Sequence, residues 1–199
     1  MLRSTTRFRT WLKDWTHSLN PSWAPAEGEG VRARIEEMLA QERIGFREIP
    51  HVDSLTASEL AESIHIHGRA VAKVVLVWAG DRYVMAVLPA NRWIDLEGLA
   101  AVIGADDVSV ATEHELRRLF PDCELGAMPP FGNLYGVDVY VDSTLATEPV
   151  IFFPIGSHHE AMELRYVDYA HLVQPKTGRF SYAGGGTGRQ DVSAAAGYM

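Results

Sequence analysis

Lys73 stands inside the stretch GRAVAKVVLVW, residues 68–78, in a chain whose 18 basic residues are 15 arginines and only 3 lysines. From Val71 to Trp78 the sequence reads as a strand, apolar on both alternating faces as buried strands are. Alternation puts Lys73 on the face of Val71, Val75 and Val77, so its ammonium must reach the rim, find a partner or face a cavity. A lysine near a strand start that simply reaches the rim would need no function. The chemical alternative is a compact ammonium in close contact with a phosphate or a reacting carbonyl, a task that an arginine fork does not duplicate.

A second candidate is GAMPPFG, Gly126 to Gly132. Two prolines fix their φ angles and remove two donors, while the flanking glycines permit unusual dihedrals and close backbone approach. A loop this stiff can aim its remaining N–H groups at one point, as acyl transfer requires where an oxyanion develops. An ordinary rigid turn has the same composition. The third candidate, PIGSHHE, follows the apolar run VIFF and presents Gly156, Ser157 and His158 at a strand end. It lacks the G-x-S-x-G frame and an assured acid partner, which argues against a Ser–His triad. His65 and His67, with His51, His158 and His159, have neither H-E-x-x-H nor Cys–His spacing, so no metal site is expected. Cys123 is the only cysteine. It reads as a small apolar filler, excludes an internal disulfide framework and fits a reducing compartment.

The charge balance narrows the partners. With 26 acidic residues against 18 basic ones the net charge is -8. That argues against a general polyanion binder, whose affinity comes from lysines and arginines neutralising phosphates. A local basic site gripping one end of an RNA stays open. No apolar run approaches the roughly 20 residues that span a bilayer.

These residues must be positioned by a fold. Residues 1–20 carry Phe8, Trp11, Leu12, Trp15 and Leu19 at helical spacing among basic residues, an amphipathic basic arm. It reads as a helix docked on the main domain, as an arm for nucleic acid or a membrane surface, or as a transit peptide. Residues 21–30 read as a Pro/Gly linker. A single domain follows over 31–175. Val31, Ile35, Met38 and Leu39 form a helical stripe, and Thr56 with Glu59 has capping-box spacing at a second helix. YVMAVLP is expected to pair antiparallel with the Lys73 strand. IDLEGLAAVIG, TEHELRRLF and VDYAHLV read as helices, and FREIPH, VDVYVD, VIFFPIG and AMELRY as strands. Irregular interspersion favours an α+β fold with a mixed, mainly antiparallel sheet flanked by helices. Residues 176–199 hold few large apolar side chains and are expected to form a flexible tail.

The helix opening TASE, the strand VAKVV, VMAVLPAN, GAMPPFG with LYGVDVYVD, and then GSH occur in that order. In this the chain resembles the YbaK/EbsC family of aminoacyl-tRNA deacylases, related to the editing domain of bacterial prolyl-tRNA synthetase. The resemblance covers residues 31–175. It implies a freestanding, cytoplasmic trans-editing enzyme that hydrolyses the ester of misacylated tRNA, with small amino acids on tRNA-Pro as the substrate class. It also implies no metal or cofactor, the acceptor end of aminoacyl-tRNA as partner, and prolyl-tRNA synthetase as a second partner. Carried onto this chain, Lys73 positions the acceptor end, and the Gly126–Gly132 backbone holds the oxyanion while an activated water attacks. Thr56, Pro130, Phe131, Gly156, Ser157 and His158 contact substrate, and Tyr135 is a further candidate for stacking on a base. The alternative is a non-catalytic module that binds an aminoacyl or nucleotide-like ligand.

Overall fold

The computed structural model describes residues 30–51 and 54–184. The basic arm, all of the linker but Gly30, and the chain after Gly184 lie outside the described residues.

Helix α1, Val31–Gln41, buries Val31, Ile35 and Leu39, which recur every four residues on one face. Strand β1 is Arg47–Pro50 and helix α2 is Ala57–Ser63. The capping box before α2 forms as its spacing implies. Thr56 Oγ1 accepts from the Glu59 N–H at 3.1 Å, and the Glu59 carboxylate accepts from the Thr56 N–H at 3.3 Å. Strands β2, Ala72–Trp78, and β3, Tyr83–Pro89, pair antiparallel over seven positions, with Lys73 opposite Leu88. Strand β4 is Arg92–Ile94, and helix α3, Leu96–Ile103, ends at Gly104 in the left-handed region, φ +76°. Strand β5, Ser109–Val110, and helix α4, Glu113–Leu119, lead into the proline loop and a 3₁₀ turn at Gly132–Tyr135. The remaining elements are β6, Asp138–Asp142; β7, Val150–Pro154; β8, Glu160–Arg165; α5, Tyr166–Val173; β9, Lys176–Gly178; and β10, Ser181–Ala183.

The central sheet runs β5-β2-β3-β6-β9, parallel at β3–β6 and β6–β9 and antiparallel elsewhere. A three-stranded antiparallel sheet, β1-β8-β7, and the pair β10–β4 complete the fold. Ala72, Val74 and Leu76 face the larger core, with α1, α4, β7 and β8. Val75 and Val77 face a second core closed by Leu99 of α3 and by Phe180. Strand β2 is therefore apolar on both faces because both faces are covered. Lys73 shares the face of the second core.

The chain beyond Pro175 corrects the expectation of a tail starting there. Residues 176–178 and 181–183 are strands, and Phe180, only 1% exposed, fills the core beside Leu99. The Phe180 N–H donates to the fully buried Asp142 carboxylate at 2.8 Å. Strand pairing with β6 and β4, together with one buried aromatic, holds a segment whose average composition looks unfoldable.

Candidate active site

A narrow crevice opens where four elements meet: the capped start of α2 with Leu55, Thr56 and Ala57, the start of β2 with Ala72, Lys73 and Val74, the loop from Gly126 to Met128, and Pro154 ending β7. Its cavity volume is about 20 Å³, room for a single water. The structure thus brings Thr56, Lys73 and Gly126 to one place from three distant parts of the chain.

Lys73 is half-buried and is one of the residues lining the crevice. Its Nζ donates to the Arg92 carbonyl oxygen at 2.9 Å and lies 5.3 Å from the centroid of the Trp93 ring. A charge-assisted hydrogen bond and a cation–π contact explain how an ammonium is kept among apolar neighbours. Both partners sit on β4, the short strand after β3.

Gly126 has φ +91°, a region that disfavours any side chain. A Cβ there would stand 3.0 Å from the Leu55 carbonyl oxygen and 3.6 Å from His158 Cε1. The missing side chain lets the loop close against α2's entry and against the histidine. The Ala127 N–H donates to the Glu124 carbonyl at 3.0 Å, whereas those of Gly126 and Met128 donate to no group among the described residues.

The GSH turn is laced to this loop. The Gly156 N–H donates to the Ala127 carbonyl at 3.0 Å, and the Glu124 N–H to the Gly156 carbonyl at 2.9 Å. The His158 N–H donates to the Glu124 carboxylate at 2.6 Å. Gly156, φ +98°, is pressed on α1, where a Cβ would meet Val31 Cγ1 at 2.6 Å. The His158 ring places Nδ1 3.0 Å from the Ser54 carbonyl oxygen. A carbonyl only accepts, so Nδ1 donates, and Nε2 stands 4.0 Å from the Glu124 carboxylate. The Ser157 hydroxyl accepts from the His159 N–H at 3.5 Å, folded back on its own turn.

Of the other expected site residues, Gly156, Ser157 and His158 do not line the crevice, and neither do Pro130, Phe131 and Gly132. Phe131 is fully buried, its ring 5.6 Å from those of Phe153 and Tyr169. The Pro130 carbonyl accepts from the Tyr169 hydroxyl at 2.9 Å, and a Cβ on Gly132 would stand 2.6 Å from the Val137 carbonyl oxygen. The paired prolines carry the chain out of the crevice and into the core. Only the first half of GAMPPFG lines the crevice, and the second half anchors the loop. Tyr135 is also buried, bonded to Asp122 at 2.9 Å.

Burial pushes the Cys123 thiol up to about 12, and its sulfur lies 3.3 Å from the Tyr135 hydroxyl. It stays protonated and packs as a filler. His65 and His67 are exposed and line a different groove. Among the described residues no three His, Cys, Asp or Glu side chains are grouped to hold a metal. The contributions of Arg92, Trp93, Leu55 and Met128 had no signature in the sequence, because they follow from strand pairing and loop direction.

The crevice falls within residues 51–172, which match the family model of the aminoacyl-tRNA editing domain. The chain belongs to that family. Editing removes an amino acid from tRNA, so this editing domain is an aminoacyl-tRNA deacylase. It is similar to the multifunctional Ser/Thr-tRNA deacylase ProXp-y of Escherichia coli (strain K12), at 27% identity over 167 residues, 78% of this chain and 95% of that protein. It also resembles the proline–tRNA ligase of Thiobacillus denitrificans (strain ATCC 25259 / T1), at 26% identity over 130 residues, 65% of this chain but 22% of the ligase. Among solved structures, the hypothetical protein APE2540 superposes with TM-score 0.68 at 16% identity, covering 75% of this chain and 99% of that one. A proposed trans-editing enzyme for prolyl tRNA synthetase superposes with TM-score 0.66 at 16% identity, covering 80% of this chain and all of its own. These likenesses establish the α+β editing-domain fold. No helix among the described residues is long and apolar enough to cross a membrane.

Proposed function

We propose that the editing domain hydrolyses tRNA-Pro carrying a small amino acid of about serine or threonine size, with the ester bound between Lys73 and Gly126. The observation that carries this reading is the shared crevice: the lysine-bearing strand and the glycine-opened loop line one water-sized space. Water attacks the ester carbonyl, and the N–H groups of Gly126 and Met128 take up the charge that develops on its oxygen. The bond from the carbonyl carbon to the ribose oxygen breaks, the water's proton passes to that oxygen with help from the neighbouring ribose hydroxyl, and free amino acid and tRNA depart. Lys73 holds the terminal phosphate. An ammonium has three donors, so a phosphate need not displace the Arg92 carbonyl. Thr56 orders the α2 entry, while Gly156, Ser157 and His158 form the turn behind the loop, His158 holding the Ser54 carbonyl.

The need for editing points to a small substrate. A synthetase pocket discriminates against a smaller side chain by only about 1–3 kcal/mol. The similarity to a proline–tRNA ligase supports action alongside prolyl-tRNA synthetase. The test is a deacylation panel of tRNA-Pro charged with Ala, Cys, Ser, Thr and Pro, set beside tRNA-Ser and tRNA-Thr charged with their own amino acids. Hydrolysis of the small non-proline esters on tRNA-Pro is expected. Tight binding with no turnover of any member would replace the enzyme with a binding module.

A further inference from the structure

Beside the crevice, on the other side of the first turn of α2, lies an open groove of about 600 Å³. Ser58, Glu62 and His65 project into it at helical spacing from α2 and its exit. His67 and Asn91 form the opposite wall. The two spaces share their dividing walls. Ala57 lines the crevice and Ser58, the next residue, lines the groove. Likewise Asn91 lines the groove, while the carbonyl of Arg92, its neighbour, holds the Lys73 ammonium. The groove and the crevice are thus lined by sequence neighbours at two places, so a chain that continues past Lys73 has the groove as its nearest polar space.

The lining chemistry says what would lie there. Among the described residues neither lysine nor arginine lines the groove, and Glu62 adds a carboxylate, which disfavours a phosphate there. Imidazole, amide and hydroxyl groups offer donors, acceptors and flat ring faces, the means by which unpaired bases are recognised. His65, His67 and Asn91 are exposed, while the Ser58 hydroxyl donates to the Ala90 carbonyl at 3.5 Å. Gly68 lets the Asn91 side chain approach closely, a Cβ there standing 3.1 Å from Asn91 Cβ.

We infer that this groove binds the base of the nucleotide preceding the terminal adenosine of the acceptor end, a cytosine in the CCA terminus of tRNA, through Asn91 and His67. The inference rests on the acceptor end being seated at Lys73 and adds a second subsite to it. An acidic chain repels the body of a tRNA, and a base subsite supplies affinity that charge does not.

The test uses the full chain and the variants Asn91→Ala and His67→Ala, assayed on charged tRNA and on the same amino acid esterified to adenosine alone. Loss of one or two hydrogen bonds should raise KM for charged tRNA about tenfold with kcat unchanged. Activity on the aminoacyl-adenosine should not move, which also shows that the variants are folded. Equal losses on both substrates, or none on charged tRNA, would overturn the base subsite. A calorimetric titration with CpCpA and with adenosine 5′-monophosphate separates this from the catalytic reading. If the wild-type chain hydrolyses neither ester, the catalytic reading fails. CpCpA binding tighter than the mononucleotide and lost in the variants would still support the groove, and equal binding of the two would refute it.

Discussion

Replacing Lys73 by methionine keeps an unbranched stem and removes the charge. In the folded protein that charge makes a 2.9 Å bond to the Arg92 carbonyl and stands 5.3 Å from the Trp93 ring. A charged hydrogen bond contributes about 1.5–3 kcal/mol and a partly exposed cation–π contact about 0.5–1 kcal/mol. Both are offset by the desolvation of a half-buried ammonium, which methionine does not suffer. The net loss should be about 1–2 kcal/mol, lowering Tm by about 2–8 °C. Starting from about 5–15 kcal/mol, the variant remains roughly 99% folded at 25 °C. Losing a positive contact used in the transition state should instead reduce kcat/KM by about 10²–10³. Thermal melts followed by circular dichroism, with single-turnover deacylation of charged tRNA on the same samples, separate the two effects. A folded Lys73→Met protein within twofold of wild-type kcat/KM would refute any catalytic part for this side chain.

Other outcomes follow from the same geometry. Gly126→Ala puts a methyl 3.0 Å from the Leu55 carbonyl at φ +91°, which should cost about 1–3 kcal/mol. By displacing the loop N–H groups it should also lower kcat about 100-fold, measured by deacylation kinetics at saturating substrate. Gly156→Ala drives a methyl to 2.6 Å from Val31 Cγ1 at φ +98°, and should destabilise by about 2–4 kcal/mol, read from the urea midpoint. Cys123 has its folded pKa raised from 9.0 to about 12, so between these values the unfolded chain releases a proton that the folded chain keeps. Its stabilising contribution is present below pH 9 and lost as pH rises toward 12. Cys123→Ala should lessen the fall in stability between pH 9 and 10 by about 1 kcal/mol, measured by urea melts, while deacylation at neutral pH is retained.

Much of this protein was legible in its sequence because the signals are local. The continuous apolar run around Lys73 specified a strand covered on both faces, Thr56 and Glu59 specified a capped helix start, and Gly104 specified a helix stop. The odd lysine in that run and the glycine opening the proline loop marked the crevice, since each is costly or unusual wherever nothing requires it. Other features were not local. Pro130, Phe131 and Gly132 read as part of the site because a string does not show where a rigid loop turns inward. Phe180 read as part of a tail because one aromatic has no value until a core receives it. The partner of the Lys73 ammonium, the approach of Leu55 to Gly126 and the adjacency of groove and crevice depend on strand register and on contacts between residues far apart in the chain. Periodicity and capping chemistry act over a few residues and determined the elements. Close packing acts between elements, and it alone decided which side chains and N–H groups meet.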